Sequence, residues 1–195
     1  MTPPSATAQF AAMTAEQAAQ FMSRFGVQPS RAFVAQLIGP TGTVVDLGCG
    51  RGDEVSDLFT PEQYTGVDCA AELIKIARQK HPRHQFCVAE AAKVRGWWDY
   101  GIIKSVLENL SEDEAVALYR NALAICGTLF VVWHMEPTLG RPTYDTYAGE
   151  VGTMQQNRHR WQAFVPPVPV FREQCERHMV WKVAGTPRYQ AEASP

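Results

Sequence analysis

No stretch of this chain approaches the roughly 18 consecutive apolar residues that a bilayer span requires. The opening MTPPSATAQF has no basic region followed by an apolar core. A soluble cytoplasmic protein without membrane contact is therefore expected. An excess of charge of one sign is also missing: 18 Lys and Arg face 20 Asp and Glu, a net charge of -2. The composition thus argues against a nucleic-acid partner, which would need a basic stripe or patch. Cysteine is sparse, with five residues at widely separated positions, and none forms a C-x-x-C pair. The five histidines do not repeat at finger-like intervals. Those spacings exclude a zinc framework and, with an odd count, a disulfide scaffold. No metal is expected, and the thiols read as buried groups in a reducing compartment.

What is present is enough apolar material for one core. The chain has 195 residues, 46% of them hydrophobic, which suits a single domain better than two. Residues 1–13, rich in Thr, Pro, Ser and Ala, read as a flexible tail, with the domain running over 14–195. Two helices are predicted first, Thr14 to Phe25 and one entered through Pro29 with Ser30 as its N-cap. Strands and helices then alternate. Thr43–Leu47, Gln63–Val67, His84–Val88, Tyr100–Val106 and Thr128–Trp133 read as strands. Ala70–Lys80 and a segment capped by the box Ser111/Glu114 read as helices.

Near-continuous apolar strands separated by helices predict a Rossmann-like α/β fold, with about seven mostly parallel strands and helices on both faces. Met179–Ala184 and Arg188–Ala193 flank Gly185, Thr186 and Pro187, and predict an antiparallel C-terminal hairpin. Between them and the fifth strand lies a long insertion, about 136–168. Connections of that length usually cover a site. Its Tyr147, Val151, Met154, Trp161 and Val165 keep helical spacing, so an amphipathic helix over Asp145–Phe164 is expected, either as a lid or as a packing helix.

Ligands of open α/β sheets collect beyond the carboxyl ends of the strands, where strand order reverses. At the exit of the first strand the chain reads VVDLGCGRG. Gly48, Gly50 and Gly52 let the backbone turn sharply and approach a ligand closely. Asp46 stands two residues ahead of the first glycine. A glycine turn alone also fits a nicotinamide enzyme, and Asp46, Asp68 and Glu90 each have a plainer reading as turn or helix caps.

With VVDLGCGRG followed by YTGVDCAAELIKIAR, then FCVAEAAKV and WDYGIIKSVLENL, the chain resembles the class I S-adenosylmethionine-dependent methyltransferase family. The resemblance implies that S-adenosylmethionine is the cofactor. Asp68, twenty-two positions after Asp46, would take both ribose hydroxyls, one on each carboxylate oxygen. Glu90 would accept from the adenine amino group where the family usually has Asp, and Ala91 would add a backbone contact. Cys49 and Cys69 fall within the same contact set. Ser105 and Val106 would approach the methionine end. The family's D/N-P-P-Y signature, used on nucleobase and glutamine nitrogens, is replaced by SVLENL.

A sulfonium methyl is already activated, so alignment matters most, and a base is needed only for a protonated nucleophile. His134 and Glu136, after the fifth strand, are the candidate bases. Glu108, Asn109, Tyr144, Tyr147, His159 and Trp161 are the candidate acceptor contacts. The expected activity is methyl transfer to an oxygen or nitrogen of a small molecule, in specialised metabolism. Two alternatives stay open: methylation of a protein or RNA group, and a non-catalytic regulator that binds the cofactor. Oligomeric state is not determined by the sequence, and a homodimer is allowed.

Overall fold

The computed structural model describes residues 4–22, 29–52, 58–134, 171–172 and 178–185. Three helices lead the chain, α1 (Ala6–Ala11), α2 (Ala15–Met22) and α3 (Pro29–Ile38). Then follow β1 (Val44–Leu47), β2 (Tyr64–Asp68), α4 (Ala71–Lys80), β3 (Gln85–Val88), β4 (Trp98–Lys104), α5 (Glu112–Ile125), β5 (Cys126–His134), β6 (Phe171–Arg172) and β7 (His178–Ala184). The sheet has seven strands in the order β3-β2-β1-β4-β5-β7-β6. The first five are mutually parallel, while β7 runs antiparallel to both β5 and β6. This is the Rossmann-like sheet expected, with its order reversing between β1 and β4.

Strand alternation sorts the core into two layers. Val45, Leu47, Ile103, Leu129 and Val131 face α5, whose Ala115, Leu118 and Ala122 are buried against them. Val44, Ile102, Phe130 and Val132 face the other way, toward Val34 and Ile38 of α3 and Ile74 and Ala77 of α4. Both faces are covered, which is why β5 could be apolar at successive positions. The helix α5 starts where its sequence says it should. Ser111 accepts from the Glu114 amide while the Glu114 side chain returns to the Ser111 amide, so two otherwise unsatisfied donors are closed.

Four expectations need correction or restriction. Residues 6–11 are helix α1, not a frayed tail: Ser5 caps it by accepting from the Ala8 amide, and Ala6 and Met13 are buried. Helix α3 begins at Pro29, so Ser30 lies inside it and is not the N-cap; a proline fits a first helical position, where no amide bond is lost. Of the two predicted hairpin arms, Met179–Ala184 lies within β7, but its antiparallel neighbours are β5 and β6, and Arg188–Ala193 lies outside the described residues. The insertion 136–168 and its amphipathic helix also lie outside them.

Candidate cofactor site

The strand-order reversal opens a cavity of about 510 Å³ above the carboxyl ends of β1, β2 and β4. Its first wall is the turn after β1. Gly48 has φ 87 and a Cβ there would overlap the side chain of Val106, so only glycine lets this turn pass beneath the end of β4. The Gly48 and Cys49 amides donate to the Val67 carbonyl at 2.7 and 3.0 Å, tying the turn to β2. Gly52 folds back instead, its amide donating to the Cys49 carbonyl, and it does not line the cavity.

Asp68, at the end of β2, holds the second wall. Its Oδ2 accepts from the Gly50 amide at 2.9 Å and its Oδ1 from the Ala70 amide at 2.8 Å. It therefore stitches the glycine turn to the start of α4, which itself has no side-chain cap at Ala70. Burial raises the Asp68 carboxyl above its ordinary value, and the backbone amides that donate to it pull the other way. Each oxygen still has lone-pair capacity for a ligand donor. Further along, Glu90 and Ala91 line the far end, with Glu90 in an exposed ion pair to Lys93 at 2.7 Å.

Asp46 is not in the lining. It is buried under the turn, and Tyr64 donates its hydroxyl to Asp46 Oδ2 at 2.7 Å. Burial lifts its carboxyl to about 6, against the lowering effects of the Tyr64 bond and the Lys104 charge. The same alternation that sends Val44 into the α3–α4 layer sends Asp46 there too. Cys49 and Cys69 do line the cavity, but as thiols. Burial pushes Cys49 well above its ordinary value and Cys69 up to about 12, so both stay protonated near neutral pH. Among the described residues no group of three or more His, Cys, Asp or Glu could hold a metal ion.

At the exit of β4, Ser105 and Val106 border the cavity with Asn109, whose Nδ2 donates to the Ser105 carbonyl at 2.9 Å. The structure thus brings together Gly48, Cys49, Gly50, Asp68, Cys69, Glu90, Ala91, Ser105, Val106 and, among the acceptor candidates, Asn109. The backbone of Glu108 lies in the short helical turn Leu107–Asn109, beside them. His134 ends β5 opposite His178. Glu136, Tyr144, Tyr147, His159 and Trp161 lie outside the described residues.

Two parts of the site escaped the sequence reading. The first is α1, whose Thr7, Ala8 and Phe10 form a third wall. Its anchor is Glu114, which caps α5 and also accepts from the Thr7 amide at 2.9 Å. The signal was there in Ser5 ahead of ATAQFA, a capped helical turn. Partial burial pushes the Glu114 carboxyl up, but the bonds from Ser111 and Thr7 outweigh it and bring it from an ordinary 4.5 down to about 2. A lowered carboxylate stabilises the folded arrangement fully above its unfolded value and loses that contribution as pH falls through the folded one. Acidification from about pH 4.5 toward about 2 should therefore loosen α1. Hydrogen exchange at the α1 amides would check this: exchange should accelerate over that window in the native chain, and Glu114→Ala should show it already at pH 7. The second missed part is Lys104, a lysine at the end of an apolar strand.

A family model described as a methyltransferase domain matches residues 44–127. That span opens on β1 and takes in the glycine turn, Asp68, Glu90 and the exit of β4. Over that span the chain is similar to a methyltransferase domain. Trans-aconitate 2-methyltransferase of Rhodopseudomonas palustris (strain BisA53) is 35% identical over 69 residues, 33% of this chain. The match spans about a quarter, 27%, of that relative's length. The methyltransferase fold extends beyond the matched segment. Burkholderia thailandensis 1,6-didemethyltoxoflavin-N1-methyltransferase, solved with 1,6-didemethyltoxoflavin and S-adenosylhomocysteine, aligns over 96% of this chain and 93% of its own, with TM-score 0.61 and 18% identity. Magnesium protoporphyrin IX methyltransferase from Synechocystis PCC 6803, solved with S-adenosylmethionine, aligns over 80% of this chain and 76% of its own, with TM-score 0.55 and 16% identity. At such identities these likenesses concern the methyltransferase fold. No helix among the described residues is long and apolar enough to cross a membrane.

Proposed function

We propose that this chain binds S-adenosylmethionine along the cavity and transfers its methyl group to an oxygen or nitrogen of a small molecule. One observation carries the reading: a single cavity runs from the glycine turn past Asp68 to Glu90, with the Ser105–Val106 exit bordering it. That sequence of walls suits a ligand with an amino-acid end, a ribose and a base. Asp68 would accept from the two ribose hydroxyls while keeping its backbone bonds, and Glu90 from the adenine amino group, with Ala91 adding a backbone contact. Gly48 and Gly50 would let the chain pass close under the amino-acid end. Asp46 would act from below the turn, through Tyr64 and the turn itself.

The cofactor supplies an electrophilic methyl on a sulfonium. The new O–C or N–C bond forms as the S–C bond breaks, the electron pair stays on sulfur, and the acceptor's proton leaves to a base or to water. The chain's task is to align the acceptor and keep water out. His134, at the end of β5, and Glu136 are the proposed bases for a protonated acceptor. Asn109 and Glu108 would flank the acceptor from the β4 side, with Tyr144, Tyr147, His159 and Trp161 from the insertion. A small acceptor is supported by the names of the relatives above, which concern trans-aconitate, 1,6-didemethyltoxoflavin and magnesium protoporphyrin IX. A reducing, cytoplasmic setting suits the free thiols at Cys49, Cys69, Cys87 and Cys126.

Incubation with methyl-labelled S-adenosylmethionine and a cell extract tests this directly. Label is expected in the low-molecular-mass fraction. Label appearing only in protein or RNA would replace the small-acceptor reading. Tight cofactor binding with no transfer to any fraction would reject catalysis in favour of a regulatory role.

A further inference from the structure

We propose that Asn109 is a positioning residue for methyl transfer, acting through the left-handed backbone of Ser105 to seat Val106 on the glycine turn; the inference rests on the function proposed above. Ser105 follows β4 with φ 51, the one non-glycine residue in the left-handed region among those described. A side chain there crowds the backbone, so the conformation persists only where its surroundings hold it. A short polar side chain can offset such strain by bonding locally. Ser105 does not do so: its hydroxyl is buried and makes no hydrogen bond among the described residues. The restraint therefore comes from the backbone on either side.

The Ser105 amide donates to the Val132 carbonyl of β5 at 3.0 Å, which fixes the peptide plane before it. Asn109 Nδ2 donates to the Ser105 carbonyl at 2.9 Å, which fixes the plane after it. With both planes held, both soft torsions of Ser105 are set. The first bond belongs to the sheet, whereas the second depends on one side chain. The tight turn Leu107–Asn109 explains why a side chain is needed. The Asn109 amide donates to the Val106 carbonyl, three residues back, so the Ser105 carbonyl, four back, is reached by the side chain instead. Asn109 is 9% exposed, and the bond is shielded from water. The enforced bend has its effect at the next residue. Val106 occupies the space that a Cβ on Gly48 would need, so the exit of β4 rests directly on the glycine turn. Asn109, itself in the cavity lining, thereby couples the acceptor side to the cofactor side. The glycine turn is also tied independently, by the Gly48 and Cys49 amides to Val67 and by the Gly50 amide to Asp68. Loss of Asn109 should therefore disturb the alignment of methyl and acceptor more than cofactor affinity.

Two measurements test this in the native chain, Asn109→Ala, Ser105→Gly and the double variant, each checked for folding by circular dichroism. One is the maximal rate of transfer from methyl-labelled S-adenosylmethionine to the low-molecular-mass fraction of a cell extract; the other is calorimetry with S-adenosylhomocysteine. The strain of a non-glycine left-handed residue corresponds to about tenfold in population. Asn109→Ala should accordingly lower the maximal rate about tenfold, with S-adenosylhomocysteine affinity within about threefold of native. Glycine adopts the left-handed backbone freely. In the Ser105→Gly background the same substitution should cost about threefold or less, a coupling that a direct acceptor contact would not produce. Asn109→Asp, of the same size without the amide donor, should lower the rate at least as much as alanine, and keeps the test open if the alanine chain does not fold. An equal cost of Asn109→Ala in both backgrounds, or a native rate in either Asn109 variant, overturns the positioning role and leaves the functional reading standing. A native chain that binds S-adenosylhomocysteine but labels nothing in that fraction overturns the small-acceptor reading, and one that does not bind it overturns the cofactor reading. The positioning role falls with either.

Discussion

Replacing Asp68 with alanine should weaken binding of S-adenosylhomocysteine by roughly a hundredfold to ten-thousandfold. Two hydrogen bonds to a charged carboxylate would be lost, each worth about 1.5–3 kcal/mol, and about 1.4 kcal/mol corresponds to tenfold in affinity. The same substitution releases the Gly50 and Ala70 amides, which Asp68 holds at 2.9 and 2.8 Å. The glycine turn then loses its tie to the start of α4, so part of the effect comes from a less ordered site. Asp68→Asn keeps the shape and one acceptor oxygen but presents an amide donor where the carboxylate had a second acceptor. Its affinity should fall between the two. Calorimetry gives the binding constants, and thermal unfolding followed by circular dichroism separates binding loss from unfolding. An Asp68→Ala chain that is folded and binds as tightly as the native one would remove Asp68 from the ribose role.

Gly48→Ala should damage both stability and binding. At φ 87 an alanine is strained whatever the space around it, and its Cβ would overlap Val106 at the exit of β4. Left-handed strain costs about 1–2 kcal/mol, and overpacking typically a further 1–3 kcal/mol. For a chain of this size the melting temperature should drop on the order of 10 °C. The companion Gly48→Ala/Val106→Ala removes the overlap but leaves the backbone strain. It should recover part of the loss, and the residue of the loss measures the strain. An unchanged melting temperature in Gly48→Ala would show that the turn is not held as described.

The legibility of this molecule follows the range of the interactions involved. The capping box at Ser111 and Glu114 needs only four neighbouring residues, so it was readable directly. The same is true of the alternation of β5 with its helices and of the glycine turn after β1. Helix α1 is illegible in the sequence for the opposite reason. MTPPSATAQF is polar and rich in small residues, and nothing local says that Glu114, 107 positions away, will accept from Thr7. Ser30 looked like a cap because serine often is one, yet Pro29 already occupies a helical position. Asp68 carried two readings, helix cap and ligand group, and the fold keeps both open by giving it one bond to Ala70 and one to Gly50.

By itself the sequence determined the sheet-and-helix alternation, the place of the glycine turn and the identity of the acidic residues at the strand ends. Those depend on backbone sterics, hydrophobic period and short-range capping, all written within a few residues. Only the tertiary structure decided which of those residues share one cavity. Parallel pairing sets β1 between β2 and β4, and strand alternation turns Asp46 away to Tyr64 while leaving Lys104 in the lining. It also brings α1 to the cavity wall through a single carboxylate on α5. Pairing register and long-range hydrogen bonds join residues that are far apart along the chain, and no local pattern encodes which of them will meet.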